Sequence, residues 1–407
     1  MGYSYKSSRG SSAAQKYARN RSGQRRTNTN RSSRRPAGQY IDPARFVQVA
    51  TFKEEEPYES MHTFADFNLI DTLQRNLIAK NYITPSPIQD QAIPVALTGK
   101  DIVGLASTGT GKTAAFALPI LQKLLTDQKA ATIIVAPTRE LAQQIEKEMQ
   151  DLARGSNLFG VLLIGGASMS YQLRSLQRNP RIIIGTPGRI KDHLKRGSLK
   201  LNRVTIVALD EVDRMLDMGF LPDVRFILES VTLPHQSLFF SATMDTRIRT
   251  LIESFTSNPV SISLKASAAS DNVHQDVIHY DHSHEKIDKL HDLLINPATT
   301  KAIVFDETQR GVEKLSKELV ERGFSAGSIH GGKNLGQRRR ALESFKRNET
   351  KILVATDVAA RGIDVADITH VVNFSIPQTY DDYVHRIGRA GRAGKIGYAL
   401  TFVERNK

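Results

Sequence analysis

From about residue 61 the chain alternates short apolar runs with longer stretches whose apolar residues recur every three to four positions. The runs at 102–106, 132–136, 161–164, 182–185, 204–209 and 237–240 are continuous rather than alternating. Such runs predict strands buried on both faces. Between them, 114–125 and 140–152 carry apolar residues at helical spacing and predict amphipathic helices. The small, polar stretch 265–276 interrupts the pattern and reads as a linker. A second series follows, with strands expected at 277–280, 302–305, 325–329, 352–355, 370–373 and 398–403. Strand–helix alternation implies a parallel sheet with helices on both faces. The expected organisation is therefore two α/β domains, 61–264 and 277–407, joined by a short hinge at 265–276.

Residues 1–60 do not share this pattern, and composition explains why. The first 40 residues contain ten Lys or Arg, no Asp or Glu, and no Leu, Ile, Val or Phe. The whole chain has a formal charge of +14, and +10 of it lies in this segment, which leaves the remainder near balance at +4. A stretch so poor in apolar surface cannot offset the entropy of ordering. Residues 1–60 are thus expected to be a disordered basic tail and an entry segment. The tail reads as a nucleic-acid-binding arm or, more simply, a solubilising extension. A transit peptide would need an apolar helical face that the segment lacks.

The absence of cysteine excludes a disulfide scaffold, a thiol nucleophile and any cysteine metal site. No run approaches the ~18 apolar residues of a spanning helix, and the start does not resemble a signal peptide. These features point to a cytoplasmic protein, or a nuclear one in a eukaryote, with no membrane association.

Candidate chemistry sits at the ends of predicted strands. Ala106-Ser-Thr-Gly-Thr-Gly-Lys-Thr113 follows one strand and opens a helix, the context of a phosphate-binding loop. Gly109 and Gly111 allow backbone N–H groups to wrap a phosphate, with Ser107, Thr108 and Thr110 completing the loop. Lys112 is placed to reach the β- and γ-phosphates, and Thr113 to ligate Mg²⁺. A strict loop has glycine where Ala106 stands. The 204–209 strand ends in Asp210-Glu211-Val212-Asp213. Carboxylates at the C-terminal end of such a strand lie where α/β ligands bind. Asp210 is placed to hold Mg²⁺, and Glu211 to orient or deprotonate an attacking water. Upstream, Tyr82 offers a ring and Gln89 an amide able to pair with N6 and N7 of adenine. Phe64 reads either as part of this aromatic side or as a core residue.

Taken together these residues resemble the DEAD-box family of ATP-dependent RNA helicases. The motifs occur in the family's order: Phe64 with TPSPIQ (84–89), ASTGTGKT (106–113), PTRELA (137–142), GG (165–166), TPGR (186–189) and DEVD (210–213). SAT (241–243), VFDET (304–308), QRRR (337–340), ATDVAARGID (355–364) and HRIGRAGR (385–392) follow. Asp213, Gln89 and His385 set the chain apart from the sibling group with His in the fourth position of the tetrad. Departures are Val212 for Ala, Asn81 for Gly, Ser86 for Thr and Ala390 for Thr. None removes an expected catalytic group, although the bulk of Val212 must be packed.

The resemblance implies two tandem RecA-like domains, each a parallel sheet flanked by helices, and a largely monomeric core. It implies ATP as nucleotide, Mg²⁺ as metal and RNA as partner, held mainly through its backbone. Arg389 and Arg392 are implied to reach the γ-phosphate from the second domain, Asp364 to contact the ribose, and His385 to link the two sites. Ser241 and Thr243 are implied to pair with Asp213 and couple hydrolysis to strand separation. The first domain's RNA contacts are implied at Thr138, Arg139, Gly165, Gly166, Thr186, Gly188 and Arg189, and the second's at Gln337, Arg340 and Thr356. The helix after TPGR is implied to obstruct a continuing duplex. An ATP-gated RNA clamp with little unwinding would use the same motifs, and a DNA helicase is disfavoured by them.

Overall fold

Apolar runs flanked by amphipathic helices have one stable arrangement, a sheet covered on both faces, and the chain builds it twice. The structure, a computed structural model, describes residues 1–2, 41–50, 58–107, 109–264, 272–360, 365, 367–391 and 395–405. The tail 3–40 lies outside the described residues.

The first sheet comprises β1 (Ile102–Leu105), β2 (Ala131–Val135), β3 (Gly160–Leu163), β4 (Ile182–Gly185), β5 (Val204–Leu209), β6 (Gln236–Ser241) and β7 (Val260–Ser263). Its order is β3-β4-β2-β5-β6-β1-β7, and every pairing is parallel. The second comprises β8 (Val273–Tyr280), β9 (Ala302–Phe305), β10 (Ala326–Ile329), β11 (Ile352–Ala355), β12 (His370–Asn373) and β13 (Gly397–Glu404). Its order is β10-β11-β9-β12-β13-β8, again parallel throughout.

Each sheet has a core on either face. In β5, Ile206 and Ala208 point into one core, and Val207 and Leu209 into the other. That explains the continuous apolar runs: neither face meets water. Among the described residues no helix is long and apolar enough to cross a membrane.

Three local expectations need correction. The hydropathy pattern does not predict β7, because its Val-Ser-Ile-Ser sequence is an edge strand with only Ile262 fully buried. β8 starts at Val273, inside the stretch that reads as linker. Its polar Gln275 is 1 % exposed yet paired, which a hydropathy pattern cannot show. Within the expected disordered segment, Pro43–Phe46 forms a short 3₁₀ helix and Gln48 pairs with Gln275, with Phe46 fully buried.

One buried group makes the second half sensitive to acid. His370 opens β12, stacked on Tyr398 at 4.9 Å, and burial pushes its imidazole down to about 4. The folded chain holds it neutral, so the unfolded chain takes up the proton first as pH falls. Stability is full above the ordinary histidine value of 6.5 and is lost progressively toward 4. The expected loss is about 2–3 kcal/mol. Thermal unfolding of the wild type and His370→Gln across this window should show a flatter pH dependence for the variant. Parallel curves would refute the assignment.

Candidate functional site

Three adjacent strands, β5, β6 and β1, bring their C-terminal ends side by side at the middle of the first sheet. β1 runs into the phosphate loop, β5 into Asp210–Asp213, and β6 ends at Ser241. Gly111 closes the loop at φ +92°, and a Cβ there would lie 2.5 Å from Gln89 Nε2. Backbone conformation and close approach therefore both demand glycine.

Gln89 Nε2 donates to the Gly111 carbonyl at 3.1 Å, and Ser86 Oγ donates to the Thr110 carbonyl at 2.7 Å. Gln89 Oε1 accepts from the Ser86 N–H at 3.0 Å, capping its own helix. The amide expected to select adenine is thus buried and committed to bracing the loop. Its Oε1 and Nε2 each retain one further hydrogen-bonding position. Thr110 Oγ1 donates to the Ser107 carbonyl at 2.9 Å, and Thr108 lies outside the described residues.

Lys112 begins the helix Lys112–Thr126 and is 5 % exposed. Its Nζ donates to the Ala106 carbonyl at 3.0 Å and lies 3.9 Å from Asp210 Oδ1. Burial pushes the Asp210 carboxyl well above its ordinary range, with Lys112 opposing the shift. Asp210 Oδ1 is buried and accepts no hydrogen bond. A buried orphan oxygen in the cleft that also holds the Thr113 hydroxyl suits a hard cation. Mg²⁺ uses one or two carboxylates and draws its other ligands from phosphate and water.

Glu211 adopts φ +56°, a left-handed conformation that costs a non-glycine residue about 1 kcal/mol or more. Its neighbours hold it there. Glu211 Oε2 pairs with Arg214 Nη1 at 3.1 Å, both side chains being almost fully buried. Val212 has no exposed surface and sits in the same core as Leu209, Met215 and Phe239. Its additional bulk faces the core, away from the chemistry.

Asp213 Oδ2 accepts from the Ala242 and Thr243 N–H groups, each at 3.0 Å, and lies 3.3 Å from Thr243 Oγ1. Ser241 Oγ accepts from the Asp213 N–H at 3.2 Å and donates to the Thr243 carbonyl at 2.7 Å. The three residues expected to couple hydrolysis to strand separation form one bonded unit.

A cleft of about 370 Å³ opens on the phosphate loop and the Asp210–Glu211 pair, while Gln89, Asp213 and Ser241 do not line it. Tyr82, Gly109, Gly111, Lys112, Thr113, Asp210 and Glu211 line it from the first half, and Lys346 and Arg389 from the second. The Tyr82 hydroxyl donates to Glu148 at 2.9 Å, and burial together with Glu148 raises its pKa. Phe64 is buried edge-on behind Tyr82, with ring centroids 5.6 Å apart. Of its two readings, the geometry supports a core residue that backs the wall.

Arg389 is 3 % exposed, and His385 lies beside it with Asp357 and Arg386. Arg386 forms a bidentate ion pair with Asp357 at 2.6 and 2.7 Å and donates to the Asn373 side chain and the Ser375 carbonyl. Asp364 and Arg392 lie outside the described residues.

A second cleft, of about 530 Å³, is lined by Thr138, Arg139, Gly165, Thr186, Gly188 and Arg189 of the first half and Gly331, Arg338 and Val358 of the second. Arg139 lies over the paired glycines, where a Cβ on Gly166 would stand 2.7 Å from its Nη1. Gln172 is buried behind the cleft. Its Oε1 accepts from Arg189 Nη1 at 3.1 Å and lies 2.9 Å from His193 Nε2, while its Nε2 donates to the Ile164 carbonyl.

The second half's expected contacts fare differently. Gln337 spends its Oε1 capping its own helix, Arg340 is exposed, and Thr356 is largely buried. None of the three lines this cleft. Arg338, between the first two, instead reaches across to Glu140 at 2.8 Å.

Sequence reading does not single out Arg214, Gln172, Arg338 or Arg386. Three of them stand within or beside a recognised motif, but a motif does not say which positions turn inward. Gln172 carries no signal beyond lying six residues after the glycine pair.

Comparison with known proteins completes the picture. Residues 86–251 match the DEAD/DEAH box helicase family, and residues 285–394 match the helicase conserved C-terminal domain. The ATP-dependent RNA helicase CshA of Listeria monocytogenes is 45 % identical over 347 residues, covering 84 % of this chain and 66 % of that protein. The DEAD-box ATP-dependent RNA helicase CshA of Bacillus subtilis is 43 % identical over 343 residues, covering 84 % and 69 %. The chain thus spans about two thirds of the length of these relatives.

Among solved structures, Mss116p bound to single-stranded RNA and AMP-PNP matches with TM-score 0.77 at 28 % identity, covering 88 % of this chain and 77 % of that one. Dbp5 of S. cerevisiae bound to RNA and ADP BeF3 matches with TM-score 0.75 at 29 % identity, covering 84 % and 90 %.

Proposed function

The chain belongs to the DEAD-box family of ATP-dependent RNA helicases, and on that premise we propose that it binds RNA without sequence selection when its two halves close, parts short duplexes locally, and hydrolyses ATP to release the strand. The observation that carries this reading is Arg389. It comes from the second half, yet it lines the same cleft as Lys112, Thr113, Asp210 and Glu211 of the first. Neither half alone holds a complete hydrolytic site, so anything that favours closure favours hydrolysis. The likeness to two RNA-bound structures over 84 % and 88 % of the chain supports the same arrangement.

The proposed reaction follows from the placed groups. ATP lies with its phosphates on the Gly109–Thr113 loop and its base toward Tyr82. Glu211 accepts a proton from a water whose oxygen bonds to the γ-phosphorus, and the bond to the β-phosphate oxygen breaks, giving ADP and phosphate. Lys112 and Arg389 face the charge that develops on the phosphate oxygens, and Arg392 is proposed to join them. Asp210 and Thr113 would hold Mg²⁺, which supplies charge neutralisation at the phosphates. ATP and RNA both draw the halves together, so each should tighten the binding of the other.

The second cleft is the proposed RNA path. Its donors are mostly arginine, threonine and glycine backbone, suited to phosphate and sugar rather than to base edges. The helix Pro187–Lys195 begins at this cleft and is proposed to block a continuing duplex.

ATP hydrolysis measured against single-stranded RNA and DNA of equal length tests the reading. RNA should stimulate and DNA should not; equal stimulation would overturn it. Removing residues 1–40 deletes ten cations. It should weaken RNA binding and flatten its salt dependence by about 0.7 logarithmic units for each phosphate that the tail neutralises, leaving the turnover rate unchanged. An unchanged salt slope would make the tail a solubilising extension.

A further inference from the structure

The stretch Ile41–Gln48 precedes the first half in sequence, yet it is built into the second. Phe46 has no exposed surface and packs on the Tyr383 ring with centroids 4.6 Å apart. Together with Ile41 it forms a small core with Val273, Tyr383, Ile387 and Ala399. The Arg45 guanidinium lies 3.8 Å over the Tyr380 ring.

Gln48 and Gln275 exchange both backbone hydrogen bonds, at 3.0 and 2.8 Å. A side-chain relay extends this pairing. Gln275 Nε2 donates to Gln48 Oε1 at 3.1 Å, and the buried Tyr383 hydroxyl donates to Gln275 Oε1 at 2.8 Å. A solvated entry segment would need none of these bonds.

Two features give the packing a consequence. Three of the contacted residues, Tyr380, Tyr383 and Ile387, belong to the helix Tyr380–Ile387, whose end leads through Gly388 to Arg389. Arg386 pins that helix from within the second half through Asp357 and Asn373, and Phe46 braces it from outside. The segment that follows is anchored to the first half. Buried Asp90 accepts from the Tyr58 hydroxyl and from the Met61 and His62 N–H groups. Ten chain steps separate Gln48 from Tyr58, a reach of at most about 33–36 Å.

We infer that Ile41–Gln48 is a strap that joins the two halves independently of the connection between β7 and β8, and that Phe46 acts as a positioning residue for Arg389. The inference rests on the reading of Arg389 as the group that crosses to the nucleotide. Bracing the helix keeps the guanidinium within reach of the γ-phosphate, and the double tether limits how far the halves can part between turnovers.

A double-mutant cycle on the full chain tests this, read by RNA-stimulated ATP hydrolysis. Arg389→Ala should lower kcat about 10³-fold or more. Phe46→Ala should lower kcat about 10- to 100-fold, the effect of a small misplacement, with KM for ATP unchanged. The double variant should be no slower than Arg389→Ala alone, because Phe46 acts through that arginine. An unaltered kcat in Phe46→Ala, or losses that multiply in the double variant, would overturn the inference. Should Phe46→Ala fail to fold by thermal unfolding, Gln48→Ala takes its place in the same cycle.

A separate measurement isolates the strap from the role of Arg389. The chain has no cysteine, so Lys129→Cys and Glu321→Cys place one label on each half. With no ligand added, Phe46→Ala should broaden the distance distribution between the labels, and an unchanged distribution would overturn the strap. Normal kcat in Arg389→Ala would instead sink the reading of the arginine, whatever the distances show.

Discussion

Glu211→Gln should stop turnover while leaving ATP and RNA binding intact. The carboxylate is the group placed to take the proton of the attacking water, and a positioned general base contributes about 10²–10⁴ in rate. Glutamine keeps the size and one acceptor oxygen but cannot accept that proton. The left-handed backbone at φ +56° is held by packing around Val212, which the substitution leaves in place. Arg214, 3.1 Å away, loses its anionic partner and keeps only a neutral oxygen, so some loss of thermal stability should accompany the variant. Single-turnover hydrolysis with saturating RNA measures the first effect, and RNA affinity with and without ATP measures the second. The expected result is a protein that closes on RNA with ATP and stays closed. Hydrolysis at the wild-type rate would remove Glu211 from the role of base.

The same pair of residues illustrates why sequence reading reaches the site but not its supports. Asp210, Glu211 and Lys112 are legible because strand, glycine loop and charge coincide within a few positions, and little other than phosphate chemistry calls for that combination. Arg214 stands one position past the tetrad, and nothing in its identity separates a solvated arginine from one 3 % exposed. Gln89 is legible as important, but not for the loop it braces, because an amide's partners depend on a glycine 22 residues away in the chain. The two sheets are readable almost strand for strand, since runs apolar on both faces need no long-range information. β7 and the start of β8 are not, because edge strands face water on one side and pair their polar groups individually. Residues 41–48 are the least legible of all. Phe46 stands in a short stretch with Ile41, Val47 and Val49 that has no clear helical or strand period, and its burial depends on Tyr383, which no local pattern reveals.

The two clefts also differ in how far motif position predicts geometry. Around the nucleotide cleft, the described residues expected to line it mostly do so, and Arg389 arrives from the other half. In the second cleft the first half's residues converge, whereas Gln337 and Arg340 do not line it and Arg338 crosses instead. For Gln337 the cause is local: it is the third residue of a helix whose cap, Asn334, claims its side chain. Its side-chain oxygen accepts from the Asn334 N–H at 3.0 Å, which leaves the Nε2 hydrogens as the donors that can serve a phosphate without breaking the cap.

Lys112→Ala should act at the step before hydrolysis and remove nucleotide binding itself. The ammonium is 5 % exposed, tied to the Ala106 carbonyl at 3.0 Å and facing Asp210 at 3.9 Å. In that position it presents its charge to whatever occupies the loop. Hydrogen bonds to charged groups contribute about 1.5–3 kcal/mol each. Without its bonds to two phosphates, Kd for ATP should rise by about 10²–10⁴. The variant also leaves Asp210 buried without its nearest cation. An unpaired buried charge is costly, and protonation of Asp210, whose carboxyl burial already pushes upward, is the route by which the fold limits that cost. Calorimetric titration with a non-hydrolysable ATP analogue reads the affinity, and thermal unfolding confirms that the chain is folded. The pattern distinguishes the two variants: Glu211→Gln binds and does not turn over, whereas Lys112→Ala does neither. ATP affinity at the wild-type level in folded Lys112→Ala would mean that the loop's backbone N–H groups alone hold the phosphates, and that the lysine serves Asp210 rather than the nucleotide.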